Sequence, residues 1–301
     1  MRAIVINRHG GPDVLEIAQI ACPDPAPGEV LLRITAAAVN PADAKWRAGM
    51  FEAFIPVTFP HVLGYDVAGE VVSGEGIAPG TRMFGMLDPI RKGGYAEYVA
   101  APRRYLTETP EGLADITAAA LPTAGLTGMQ LIERAADVRS GDTILITGAL
   151  GAVGRFALHF AKLRGAHVIA AVRPAQREQV RALGADDIIA LEDDWAGPKF
   201  DHVIDTIGGG AVARLCSHLK PGGKILTAAT TPIPGDVLPA TPEIFAVVPS
   251  ACDCARLAAE VASGAMKVPI ARTMPLVHAA DAHRMIETGG QNGKIVLVPL
   301  P

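Results

Sequence analysis

TILITGALGAVGRFALHFAKLRG, residues 143–165, sets an apolar β-branched run, a glycine-rich bend and an amphipathic stretch in immediate succession. The run reads as a buried strand and the stretch after it as a helix, so Gly148-Ala149-Leu150-Gly151-Ala152-Val153-Gly154 is a strand-to-helix turn. A dinucleotide pyrophosphate needs this context. Gly151 lets the backbone come close to the phosphates, the first N–H groups of the helix and its positive end stabilise their charge, and Gly154 lets the helix pack tightly on the strand. Ala149 stands where the first glycine of such turns is usual, with Gly148 just before it. The competing reading is an ordinary tight turn.

The second strand of the unit ends Ala170-Ala171-Val172-Arg173-Pro174, followed by Gln176 and Arg177. An NAD site places a carboxylate at this point to hold the ribose 2′-hydroxyl. Arg173 instead offers a guanidinium fork suited to a 2′-phosphate. NADPH is therefore the expected cofactor, with Arg173 and Arg177 beside it; the alternative is that both are solvated charges at a helix start.

Outward from this turn the pattern alternates. Runs at 142–148, 167–172, 186–191, 200–208 and 223–229 read as strands, and the stretches between several of them as helices. That alternation predicts βαβ units, hence an α/β fold with a doubly wound parallel sheet of the Rossmann type. Upstream, residues 1 to about 110 carry short β-branched runs broken by Pro and Gly, the mark of a small β-rich unit. The segment 231–250 holds five prolines and reads as an irregular connection. A helix is expected near 252–263, then a strand, a short helix and a last strand that returns to the first unit. The expected division is 1–115 joined by 268–301, against 116–267.

The chain has 301 residues, half of them hydrophobic, with a formal net charge of −4. Two cores fit in that length. The charge supplies no basic field for nucleic acid or anionic lipid, no apolar stretch reaches the roughly 20 residues of a membrane span, and the first residues lack the apolar core of an export signal. A soluble, cytoplasmic protein acting on a small molecule is expected. Cys22, Cys216, Cys252 and Cys254 do not form a zinc-binding pattern, and the last two read as small helix residues in a reducing compartment.

Several stretches together resemble the quinone oxidoreductase and enone reductase branch of the medium-chain dehydrogenase/reductase superfamily: 39–45 (VNPADAK), 64–71 (GYDVAGEV), 93–99 (GGYAEYV), 121–127 (LPTAGLT), the glycine-rich turn, 181–186 (RALGAD) and 293–297 (GKIVL). The resemblance implies a GroES-like domain that includes the C-terminal tail, a Rossmann domain, and a homodimer. Zinc alcohol dehydrogenases of the superfamily place a Cys where Asn40 stands and a His where Tyr65 stands, and insert a four-cysteine lobe after the position of Gly85. None of these is present, so the expectation is no metal at all; His61 reads as a loop residue.

Without a metal the substrate must already be electrophilic, a quinone or an α,β-unsaturated carbonyl. Hydride addition then leaves an anionic oxygen that donors must stabilise and a proton must neutralise. Tyr65 stands ready to donate, or is a hydrogen-bonded core residue; Lys45 would steady an oxyanion, or is an exposed helix-start lysine. By resemblance Asn40 and Asp43 approach the nicotinamide, Asp43 equally serving to cap a helix beginning at Ala44. The resemblance also carries to the cofactor Thr127, the loop Thr206-Ile207-Gly208, the strand end Thr227-Ala228-Ala229, and Asn292, Gly293 and Lys294 from the tail. Phe51 stands where the branch often has a tyrosine, which leaves solvent as proton donor. Two other readings stay open: a 2-enoyl thioester reductase, and a non-catalytic NADPH-binding sensor or structural protein.

Overall fold

The computed structural model describes residues 1–88, 90–91, 93–235 and 238–299. The chain forms two compact units, Met1–Thr123 with Pro249–Pro301, and Ala124–Val248. Both boundaries differ from expectation. Residues 116–123 belong to the first unit, and so do 249–267, because the helix Ala251–Ala262 packs against the strands Arg82–Met86 and Leu106–Glu108 of that unit. The expected loop 231–250 also contains a short strand, Pro242–Ile244, which pairs in parallel with the end of Leu219–Thr227. Proline is tolerated there because an edge strand can begin with a residue that has no N–H to donate. Residues 236 and 237 of that segment lie outside the described residues.

The second unit is a six-stranded parallel sheet in the order Asp187–Ala190, His167–Val172, Thr143–Thr147, Phe200–Asp205, Leu219–Thr227, Pro242–Ile244. Order reverses between Thr143–Thr147 and Phe200–Asp205, the switch point at which open α/β sheets receive ligands beyond their carboxyl ends. The inner strands are largely buried runs of Ile, Leu, Val and Ala, as a sheet covered on both faces requires, while the edge strand Pro242–Ile244 is mostly exposed. Helix Ala152–Leu163 leaves the first strand through the glycine-rich turn, with Phe156, Phe160 and Ala161 buried.

The first unit is built on a seven-stranded sheet, mostly antiparallel. Its long central strand Glu29–Val39 pairs with Asp66–Gly74, Tyr98–Pro102 and the terminal strand Lys294–Val298, which brings the tail back to the first unit. The end of this strand runs at Asn40 into the helix Pro41–Arg47, so residues 40–47, 65–66 and 294 come together at one end of the sheet. No helix among the described residues is long and apolar enough to cross a membrane.

Candidate functional site

The glycine-rich turn has the shape that its residues demand. Gly148 sits at φ +62, where a side chain would also strike Thr206. A Cβ on Gly154 would lie 2.3 Å from the Gly148 carbonyl oxygen, so the helix can approach the strand only without one. Gly151 is the N-cap of that helix and supplies no side-chain cap. The first-turn N–H groups, including those of Ala152 and Val153, are thus left for a ligand, and Gly151 and Ala152 are exposed while Ala149 is buried beneath. These residues fit a pyrophosphate.

At the end of the neighbouring strand, Arg173 is exposed and its guanidinium has no partner among the described residues; its backbone N–H donates to Gln176 Oε1 at 3.2 Å. Arg177, expected beside it, is drawn to Asp193 at 3.0 Å on the surface. The pair therefore divides, one arginine open and the other engaged.

Thr206-Ile207-Gly208 and Thr227-Ala228-Ala229 close the carboxyl ends of the next two strands. A buried residue absent from the sequence-based list, Asp205, joins them. Its Oδ1 accepts from Thr147 Oγ1 at 2.6 Å and from the N–H groups of Ile207 and Gly208, each at 3.0 Å; its Oδ2 accepts from Thr227 Oγ1 at 2.6 Å. Thr227 Oγ1 in turn accepts from Ala229 N–H at 2.9 Å. The signal in the sequence is an aspartate closing the apolar run Val203-Ile204, where a polar side chain inside a parallel sheet needs a full set of partners. Thr127 is buried in the helix Pro122–Gln130.

The first unit holds the residues expected at the reacting end. The helix starts at Pro41, three residues before the expected Ala44, and Asn40 is its N-cap. Asp43, third in the helix, reaches back to take the Asn40 N–H at 2.8 Å, which is one half of a capping box. The Asn40 side chain turns away instead: Nδ2 donates to Asp66 Oδ2 at 2.9 Å, and Oδ1 accepts from Lys294. Asp66 also accepts from Thr123 N and Oγ1 at 2.9 and 2.6 Å, and Lys294 Nζ lies 3.9 Å from it. Burial lowers the Lys294 ammonium and raises the Asp66 carboxyl, and each partly offsets the shift of the other.

Asp43 is completely buried, and burial pushes its carboxyl up to about 7. A chain of donors points at it. Arginine only donates, so Arg47 Nη1, 3.0 Å from His283 Nδ1, makes that nitrogen an acceptor and puts the imidazole proton on Nε2. His283 Nε2–H then donates to Tyr95 Oη at 3.2 Å, and Tyr95 O–H to Asp43 Oδ2 at 3.1 Å. Asp43 Oδ1 is buried without a hydrogen-bond partner. Tyr95 lies in the quoted stretch 93–99 but receives no role there, and Arg47 and His283 fall outside every motif, since only the fold brings position 283 to position 47.

Tyr65 is buried; Trp46 hydrogen-bonds its hydroxyl, and burial with the nearby Asp43 raises it above the ordinary tyrosine range. It is accordingly a neutral phenol. Lys45 is half-buried, with its ammonium lowered by desolvation and no partner among the described residues. Phe51 rests against Trp46, ring centroids 5.1 Å apart. The tail residues take partners within their own unit: Lys294 binds Asn40, and a side chain on Gly293, at φ +149, would strike the backbone of Pro269 and Ala271. Asn292 is exposed. Among the described residues no group of three or more His, Cys, Asp and Glu is placed to hold a metal ion.

A β-rich unit carrying a buried polar cluster and a parallel-sheet unit carrying a glycine-rich turn shaped to admit a phosphate point to a nucleotide-dependent oxidoreductase class, and comparison with known proteins agrees with that class. Residues 26–111 match the alcohol dehydrogenase GroES-like domain and residues 183–297 the zinc-binding dehydrogenase domain. The chain is 32% identical to the chloroplast envelope quinone oxidoreductase homolog of Arabidopsis thaliana, over 99% of this chain and 98% of that protein. It is 33% identical to the chloroplastic NADPH-dependent alkenal/one oxidoreductase of the same plant, over 100% of this chain and 80% of that one. The quinone oxidoreductase of Coxiella burnetii superposes with a TM-score of 0.86 at 28% identity, covering 99% of both chains. The chain belongs to the medium-chain dehydrogenase/reductase family, in its quinone and alkenal/one oxidoreductase branch.

Proposed function

We propose that this chain is an NADPH-dependent reductase of quinones or α,β-unsaturated carbonyls that works without zinc. The observation that carries the reading is the open turn at 148–154 combined with an unengaged Arg173 at the next strand end. The turn would hold the pyrophosphate and Arg173 the 2′-phosphate, while Thr127, Thr206 to Gly208 and Thr227 to Ala229 would line the remainder. NADPH supplies the hydride.

The chain's own residues answer for the charge that reduction creates. Asn40 and Tyr65 stand where metal-dependent relatives keep thiolate and imidazole, and an amide with a neutral phenol makes a poor zinc shell. Lys45 brings a cation with spare N–H donors to steady an enolate or hydroquinone oxygen, and Tyr65 brings a hydroxyl too weakly acidic to ionise near neutral pH. Asn40 and Asp43 hold the strand-to-helix connection on which Lys45 and Trp46 sit. The relatives named for quinone and alkenal/one reduction support this acceptor class.

We read the assembly as a homodimer, for which the exposed Ile244 and Val248 beside the edge of the parallel sheet give support, and light scattering tests it. The four free cysteines agree with a reducing, cytoplasmic setting. The deciding assay follows NADPH oxidation with a quinone, an alkenone and an enoyl thioester. Turnover with either of the first two is the expected result. Activity confined to the thioester would reassign the substrate, and NADPH binding with no turnover on any acceptor would make the chain a binding protein.

A further inference from the structure

We infer that Asp205 is a positioning residue for the cofactor, the bolt that holds three loop-bearing strand ends at one level; this rests on the reading of the 148–154 turn as a dinucleotide site. Asp205 ends the central strand Phe200–Asp205, between strand Thr143–Thr147 on one side and Leu219–Thr227 on the other. It is register partner of Thr227, and lies one residue beyond the Ile204–Ile146 pair, hence level with Thr147. In parallel strands, side chains at one level point to the same face. The carboxyl group therefore reaches sideways to the hydroxyls of Thr147 and Thr227 together, at 2.6 Å each.

The same carboxyl closes the loop that follows it. Its bonds to the Ile207 and Gly208 N–H groups, two and three residues ahead, substitute for a backbone turn. That loop is tied back to the first strand as well: Thr206 N–H donates to Thr147 Oγ1 at 3.0 Å, and Thr206 Oγ1 donates to the Thr147 carbonyl at 2.8 Å. Ala228 N–H donates to the Asp205 carbonyl at 2.9 Å, and Ala229 N–H is fixed through Thr227.

Three of the segments expected to touch the cofactor are thus one or two bonds from a single side chain. The turn starts at Gly148, directly after Thr147; the second loop is Thr206 to Gly208; the third is Thr227 to Ala229. Apolar residues would have filled this layer of the sheet without the cost of burying a carboxyl group. What the polar layer adds is a fixed relative height for three backbones, the property that a pre-formed binding surface needs.

The test uses the full chain, with Thr147→Val, Thr147→Ser and Thr227→Val. Dissociation constants for NADPH and NADH are read from nicotinamide fluorescence, kcat at saturating cofactor, and Tm from thermal melts without cofactor. Losing one such bond is expected to weaken NADPH by about tenfold in each Val variant. NADH weakens by the same factor, because no atom in the layer is assigned to the 2′-phosphate; in Thr147→Val, at a residue with no assigned cofactor contact, kcat changes by less than about threefold, while Thr147→Ser retains parental binding. Val variants that bind like the parent overturn the role, even if Tm falls, since that is the mark of a merely structural group; so does Ser binding as weakly as Val. Should Thr147→Val fail to fold, Thr227→Val gives the same reading from the other side. A parent that binds no NADPH overturns the cofactor reading and this role with it, whereas a binding parent with indifferent variants overturns the role alone.

Discussion

Arg173 and Asp43 show how differently single residues declare themselves. Arg173 is singled out by its place in the sequence, at the end of the second strand of the unit, where a dinucleotide site puts either a carboxylate or a cation. Replacing it by Asp is expected to raise the KM for NADPH at least about tenfold while leaving that for NADH within about threefold; an unchanged ratio of the two would remove Arg173 from the site. Asp43 was legible only as a choice between cap and catalyst, and the structure shows it reaching back to Asn40 while enclosed by a network. Burial pushes it from 3.8 up to about 7, so between those values the folded chain keeps a proton that the unfolded chain has lost. The stability this confers is complete below about pH 4 and disappears as pH rises to 7. His283 acts with the opposite sign: lowered from 6.5 to about 3 by burial and by Arg47, its contribution is complete above about 6.5 and is lost on acidification. The two oppose each other across mildly acidic pH. Asp43→Asn removes the first alone, so the stability of the variant relative to the parent should rise from pH 4.5 to 6.5, with a slope up to about 1.4 kcal/mol per pH unit. Denaturant melts at several pH values check this, and a constant gap would refute it.

At the scale of elements, strands and helices of the parallel sheet were readable because each carries its own period and its own breaker. The glycine-rich turn was readable for the same reason, and its demands are steric. Gly154→Ala would place a methyl 2.3 Å from the Gly148 carbonyl oxygen. We expect it to cost about 1–3 kcal/mol of stability and to weaken NADPH binding by more than tenfold, measured on the same protein by melting and by titration; parental affinity would mean that the turn is not the phosphate cradle. Strand Pro242–Ile244 escaped detection because three residues paired on one side leave no period to read. The helix Ala251–Ala262 was found, yet placed in the wrong unit, since amphipathicity tells that a face is buried and not which core buries it.

At the scale of the molecule, two cores and the return of the tail were legible from the change in pattern along the chain. The polar cluster around Asn40 was legible only in part. Asn40, Asp43 and Lys294 were singled out by resemblance, but Asp66 and Tyr95, which bond them, and His283 and Arg47, which bond onward from Tyr95, are brought to them by folding, and Lys294 and Asn40 themselves meet across 254 residues. No local spacing encodes such contacts. In the proposed function Tyr65 and Lys45 of the first unit take on the work that a metal does in zinc-dependent relatives, and one direct measurement tests it. Protein dialysed against a strong chelator, with its zinc content determined, is assayed for NADPH oxidation by a quinone and an alkenone. Full activity with less than stoichiometric metal is the predicted result. Activity that vanishes with the metal and returns on adding zinc would contradict it.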